Sequence, residues 1–165
     1  MHGTKQQVSD KLYITWEEVV SLCETICKKL EQEGDTNITN IIGISRGGLI
    51  PATTLAQMLN VRNVYSVGVR SYMDDGDYDT RLKEPIIYQD ITRDQIKVIN
   101  KKEGITLIVD DISDQGTTLK YIANKYKFDD CRCVSLFIKS STCFIPRYRG
   151  KTTLEWIVFP WELNN

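Results

Sequence analysis

From Val19 to Leu30, apolar residues fall at three- and four-residue intervals, so that Val19, Leu22, Cys23, Ile26 and Leu30 line one face of a helix. Thr15, just ahead of Trp16-Glu17-Glu18-Val19, reads as its N-cap, and the helix should run to about Glu33. Gly34 to Thr39 is a polar break. Asn40 to Ile44 is a short aliphatic strand that stops at Ser45-Arg46-Gly47-Gly48. A helix should follow over Leu49 to Leu59, with Pro51 in its first turn, where its missing N–H has no helical partner to lose. Val61 to Val69 alternates and is rich in valine, which predicts a strand. Asp74 to Thr80 is polar, acidic and glycine-containing, a loop; Ile86 to Val98 reads as strand pieces flanking it. Ile105 to Val109 is nearly all aliphatic and predicts a buried strand, with an amphipathic helix next over Thr117 to Tyr126. Cys133 to Ile138 and Leu154 to Val158 complete the strands. Strands alternating with helices predict an α/β fold built on a mostly parallel central sheet. The chain of 165 residues fits one domain and is too short for two substantial ones. Residues 1–14 are expected to be a loosely ordered N-terminal segment.

The chemistry concentrates where the Ile105 strand ends. Asp110 and Asp111 stand side by side there, and Asp114 opens a short loop through Gln115 and Gly116 to Thr117 and Thr118. In open α/β sheets, ligands bind outside the carboxyl ends of the strands, so these polar residues face a crevice. Neighbouring carboxylates repel, and burying them uncompensated is costly. A metal, a diol or a base must therefore offset them, and vicinal hydroxyls suit acceptors of this kind. Gly116 lets backbone approach a ligand closely. Thr117 and Thr118 place hydroxyls at a helix N-terminus, where free amides and the macrodipole favour a phosphate. An acidic cap and turn would explain Asp114 to Thr117, but not two further carboxylates at the end of a buried strand. A diol reader followed by a phosphate cradle describes a ribose 5-phosphate site.

This run of aliphatic residues, two acids, a spacer and Asp-x-Gly-x-Thr resembles the phosphoribosyl pyrophosphate (PRPP) motif of type I phosphoribosyltransferases. The resemblance covers roughly Ile41 to Glu162. It implies that fold, with a small hood from the C-terminal segment. It gives Asp110 and Asp111 the ribose hydroxyls and, partly through them, Mg²⁺. Asp114 becomes the candidate general base, and Asp114 to Thr118 the 5-phosphate loop. Gln115 departs from the Thr or Ser of many relatives, which a backbone-amide contact would tolerate.

Other segments take meaning beside that motif. Ser45-Arg46-Gly47-Gly48 is a glycine-paired turn after a strand, a common structural device whose amides and arginine could also face an anion. It resembles the pyrophosphate loop of the purine salvage branch of the family, which implies a non-proline cis peptide at Ser45–Arg46. Lys139 ends a strand, where lysines are ordinarily just solvated. The resemblance makes it a purine-binding residue that donates to a 6-oxo group and so disfavours adenine. Trp156-Ile157 before Phe159-Pro160-Trp161-Glu162 resembles the C-terminal segment of the xanthine-guanine and hypoxanthine-guanine members. That implies a base stacked on Trp156, its 2-position read at Ile157, and an acid where this chain has Val158. Arg70, Ser71 and Tyr72 would hinge a flexible lid over residues 74–80, a stretch that a solvated surface loop explains equally well.

The implied reaction is Mg²⁺-dependent transfer of 5-phosphoribosyl from PRPP to a 6-oxopurine base (guanine, xanthine or hypoxanthine), by a homo-oligomer, dimer or tetramer. Two other readings share these residues: a phosphoribosyltransferase with another acceptor, and a non-catalytic PRPP- or nucleotide-sensing protein. Composition then removes alternatives. A net charge of -1 gives no general attraction to nucleic acid. No apolar run approaches the roughly 20 residues of a membrane span, and Met1 to Lys11 has no signal-peptide core, so a cytoplasmic setting is expected. The 5 cysteines lack metal-site spacing and are odd in number, which argues for free thiols. With His2 the 1 histidine, a histidine-dependent triad is nearly excluded.

Overall fold

The computed structural model describes residues 10–72 and 81–163. Strand β1 (Lys11–Tyr13) leads into helix α1 (Trp16–Gln32). Thr15 caps that helix reciprocally with Glu18: the Glu18 amide donates to Thr15 Oγ1 at 3.1 Å and the Thr15 amide to Glu18 Oε2 at 2.7 Å. Its apolar face, Val19 to Leu30, is buried as the spacing requires. Then come β2 (Ile38–Ser45), α2 (Leu49–Met58), β3 (Val64–Tyr72) and β4 (Arg81–Gln89). Helix α3 (Arg93–Lys101), β5 (Ile105–Ser113), α4 (Thr117–Tyr126) and β6 (Cys131–Lys139) follow, and β7 (Tyr148–Thr153) and β8 (Trp156–Val158) end the chain.

Six strands form one sheet in the order β4-β3-β2-β5-β6-β7, parallel throughout except for the antiparallel edge pair β3–β4. Successive residues of the inner strands bury on opposite faces, because the side-chain period of a strand is two. Ile41, Leu107 and Val109 meet α1 and α2, while Ile42, Ile44 and Ile108 meet α3 and α4. This two-faced burial explains the aliphatic runs Ile41–Ile42 in β2 and Leu107–Val109 in β5. Sequence and structure agree on the mostly parallel α/β architecture.

Four expectations need correction. Residues 86–98 are not strand pieces alone: β4 ends at Gln89, and α3 starts behind a Thr92–Gln95 capping box. Only Ile99 of α3 is buried, and Ile96, Val98 and Ile99 are the only apolar residues among its 9, so the cap is the plainer signal. Strand β7 was not expected, since Tyr-Arg-Gly-Lys-Thr-Thr is a polar edge strand. β8 begins at Trp156 rather than Leu154, and it pairs in parallel with β1 in a separate two-stranded sheet. Lys11–Tyr13 are therefore ordered strand within a segment expected to be loose; the expected lid loop over residues 74–80 lies outside the described residues. Cys23, Cys27, Cys131, Cys133 and Cys143 are all free thiols.

Candidate active site

β5 carries the acids further than expected. Its ladder with β2 stops at the Gly43–Val109 pair, but its ladder with β6 continues to Ser113. Asp110 and Asp111 thus lie in strand geometry just past the point where β2 turns away, and that departure opens the crevice. Asp110 Oδ1 accepts from the Asp111 amide at 2.9 Å, and Asp111 Oδ1 from the Ile112 amide at 2.7 Å. Burial and the adjacent Asp111 charge push the Asp110 carboxyl well above the usual carboxylate range. Burial pushes Asp111 up to about 6, with the Glu162 charge contributing and the hydrogen bonds opposing.

The turn after β2 packs directly on this pair. The Ser45–Arg46 peptide is cis. A Cβ on Gly47 would fall inside the Asp111 carboxylate, and one on Gly48 would sit 2.6 Å from the Val109 carbonyl. Ser45 to Gly48 therefore border the acids without lining the main cleft, and the exposed Arg46 extends outward.

The loop after β5 is braced from behind. Gly116 is left-handed at φ 82°, and a Cβ there would lie 2.6 Å from Phe144 Cβ. The Cys143 amide donates to the Gln115 carbonyl at 3.0 Å, and Ser113 Oγ lies 3.3 Å from Thr142 Oγ1. The first amides of α4 consequently open on the same cleft as the acids. Ser71 Oγ, at the end of β3, lies 2.9 Å from Thr118 Oγ1. Arg70 and Tyr72 belong to the same strand end, opposite Ile86 and Arg81 of β4.

The far wall is the C-terminal segment. Lys139, half-buried at the end of β6, donates through Nζ to the carbonyls of Leu154 and Glu155, which holds the side chain beside the β7–β8 turn. Trp156 is 53% exposed whereas Ile157 is buried. Strand β1 clamps both, with the Trp156 amide donating to the Asp10 carbonyl at 3.1 Å. Phe159 stacks on Trp161 at 4.5 Å, and its amide donates to Glu162 Oε2 at 2.7 Å. The result is a cleft of about 400 Å³. It joins Asp110, Asp111 and the Asp114–Thr118 loop to Ser71, Lys139, Trp156 and Ile157, with Phe159 and Glu162 added. Glu162 was legible only as the acid ending the Trp-Ile-x-x-Pro-Trp pattern, and nothing in its neighbours announced a side chain reaching the β5 acids.

Residues 13–164 match the family of the phosphoribosyl transferase domain. The chain belongs to the phosphoribosyltransferase family. It is similar, at 31% identity, to a purine phosphoribosyltransferase from Pyrococcus horikoshii Ot3, with 93% of this chain and 94% of that one covered and a TM-score of 0.72. The xanthine-guanine phosphoribosyltransferase of Idiomarina loihiensis is 28% identical over 159 residues, 93% of this chain and 88% of the relative. Helicobacter pylori xanthine-guanine-hypoxanthine phosphoribosyltransferase, at 24% identity and a TM-score of 0.72 over 93% of this chain and 94% of that one, shares the fold. In this phosphoribosyltransferase the acid pair, the amide-rich loop and the aromatic hood open on one cleft. Among the described residues no helix is long and apolar enough to cross a membrane.

Proposed function

We propose that this phosphoribosyltransferase salvages purines, joining a 6-oxopurine to PRPP to give the nucleoside 5-monophosphate and pyrophosphate. The observation that carries this reading is the cleft itself, in which a diol-accepting acid pair and an anion-accepting loop share one wall and Lys139 and Trp156 form the other. The amides and hydroxyls of Asp114 to Thr118 would bind the 5-phosphate at the start of α4. Asp110 and Asp111 would accept from the ribose hydroxyls. Trp156 offers a face for the base, and Ile157 its backbone for the 2-position. Lys139 has three ammonium hydrogens, of which two serve the Leu154 and Glu155 carbonyls, so one remains for a 6-oxo oxygen. Adenine, with an amino group there, offers nothing to accept it.

The acid pair suits a hard cation. Among the described residues no group of three or more His, Cys, Asp or Glu could hold an ion alone. Two carboxylates completed by substrate oxygens are the usual arrangement for Mg²⁺. Asp110 and Asp111 would hold it jointly with PRPP, and when bound it supplies charge neutralisation for the pyrophosphate that leaves. As the base nitrogen bonds to the ribose C1, the bond to pyrophosphate breaks, and the proton of that nitrogen passes to Asp114. Fixing both reactants in line supplies much of the acceleration. A homo-oligomeric state, a cytoplasmic setting and a lid hinged at Arg70, Ser71 and Tyr72 belong to the same reading.

The test is pyrophosphate release from PRPP and Mg²⁺ with guanine, xanthine, hypoxanthine and adenine in turn. Asp114→Asn should retain PRPP binding and lose on the order of 10²–10⁴-fold in turnover. Unchanged turnover removes Asp114 from the mechanism. Tight PRPP binding with no release from any base would favour the sensing protein instead.

A further inference from the structure

The last residues of β4 and the one that follows it each tie a different element. The Tyr88 hydroxyl lies 3.1 Å from Ser45 Oγ, in the turn that closes β2. Gln89 Nε2 donates to Ser66 Oγ of β3 at 2.9 Å. Asp90 accepts from the Tyr126 hydroxyl at the far end of α4 and pairs with Lys125 at 3.7 Å. An edge strand is thus fastened to the turn beside the acids and to the helix that bears the amide-rich loop.

Tyr88 is 61% exposed, and on an edge strand that alone would mean little. Gly68 changes its meaning. This glycine in β3 is not among the left-handed glycines of the chain, so backbone conformation does not require it. Space does: a Cβ there would lie 2.7 Å from Tyr88 Cζ and closer still to the ring edge. The missing side chain lets the ring lie against β3 at Gly68 and carry its hydroxyl over to Ser45. Two hydroxyls joined by one hydrogen bond use one of their two protons, which leaves one to donate outward.

We propose that Tyr88 is a positioning residue for the pyrophosphate end of the donor, holding Ser45 Oγ so that the pair offers one hydroxyl proton to an anionic oxygen of PRPP or pyrophosphate. The assignment rests on the transferase reading above. It draws on this chain's own Gly68–Tyr88–Ser45 contact.

Tyr88→Phe keeps the ring over Gly68 and removes the hydroxyl. It should raise KM for PRPP and the inhibition constant for pyrophosphate by roughly tenfold, with no matching rise in KM for the purine. Ser45→Ala should give a similar loss, and the double variant no more than either alone, because both break the same pair. Gly68→Ala keeps the phenol but displaces it, and should also raise KM for PRPP. Wild-type PRPP kinetics in Tyr88→Phe, additive losses in the double variant, or equal losses on both substrates with a fallen melting midpoint would each overturn the role. If the wild-type protein itself releases no pyrophosphate with any base, the transferase reading fails and takes this assignment with it. An active wild type with an indifferent Tyr88 removes this assignment alone.

Discussion

The sheet carries acids at both ends, and the two groups are satisfied in opposite ways. Asp35, 8% exposed, stands at the end where β2 begins. It accepts from Arg132 Nε at 2.9 Å, Arg132 Nη2 at 3.2 Å and the Tyr148 hydroxyl at 2.6 Å. Those bonds, Arg132 first, hold its carboxyl below the usual range. Asp110 and Asp111, at the other end, are held by backbone amides, and burial raises both. Among the described residues neither forms an ion pair, whereas Asp35 forms two. An acid that the chain itself neutralises is part of the scaffold. Acids left beside an open cleft without cationic partners are set aside for something that arrives from outside.

The largest expected effect breaks the ligand-facing half. Asp110→Asn with Asp111→Asn should cost on the order of 10²–10³-fold in kcat/KM, about 3–4 kcal/mol of transition-state stabilisation. The fold should survive, because among the described residues no cation loses its partner. Retained turnover, or an unfolded variant, would sink the comparison. Asp35→Asn should do the reverse. It removes one of the two carboxylates that Arg132 faces and should lower unfolding free energy by roughly 2 kcal/mol, below the cost of a fully broken buried pair because Arg132 keeps Asp130 and its side chain is 22% exposed. Urea denaturation measures that loss, while kcat/KM should hold near the wild-type value.

The two ends also differ in how plainly the sequence shows them. The acid pair and its loop are consecutive residues, so their chemistry is visible in the sequence alone. The Asp35 cluster is assembled from residues near positions 35, 132 and 148, and no local pattern brings them together. The same reason hides Tyr88, whose partners lie in β2 and β3, and the clamp of β1 on Trp156. Period-3.6 patterns place α1 and α4, Pro51 in the first turn after Gly47–Gly48 places α2, and aliphatic runs place the inner strands, each to within a few residues. α3 escapes because it is short and mostly polar, with Ile96, Val98 and Ile99 its only apolar residues, and β7 because a polar edge strand shows no apolar alternation. Local chemistry is legible, and long-range partnership is not.

The smallest effect is the sharpest discriminator, because its sign differs between the two ends. Asp35 has a folded pKa below its unfolded value of 3.8, so it contributes stability at neutral pH that disappears as acid protonates it. Asp111 has a folded pKa raised from 3.8 to about 6. Its ionisation therefore costs stability in full above about pH 6, and the cost fades as pH falls toward the unfolded value. Asp111→Asn recovers only part of that cost, since the Ile112 amide then donates to a neutral oxygen instead of a charged one. A net gain of about 1 kcal/mol, or roughly 2–4 °C in Tm, is expected for the ligand-free protein at pH 7.5. The gain should shrink steadily between pH 6 and 4, over a range where the deficit of Asp35→Asn is still present. Melting curves of both variants across that range decide the point: slopes of the same sign would mean that the two groups of acids do the same work.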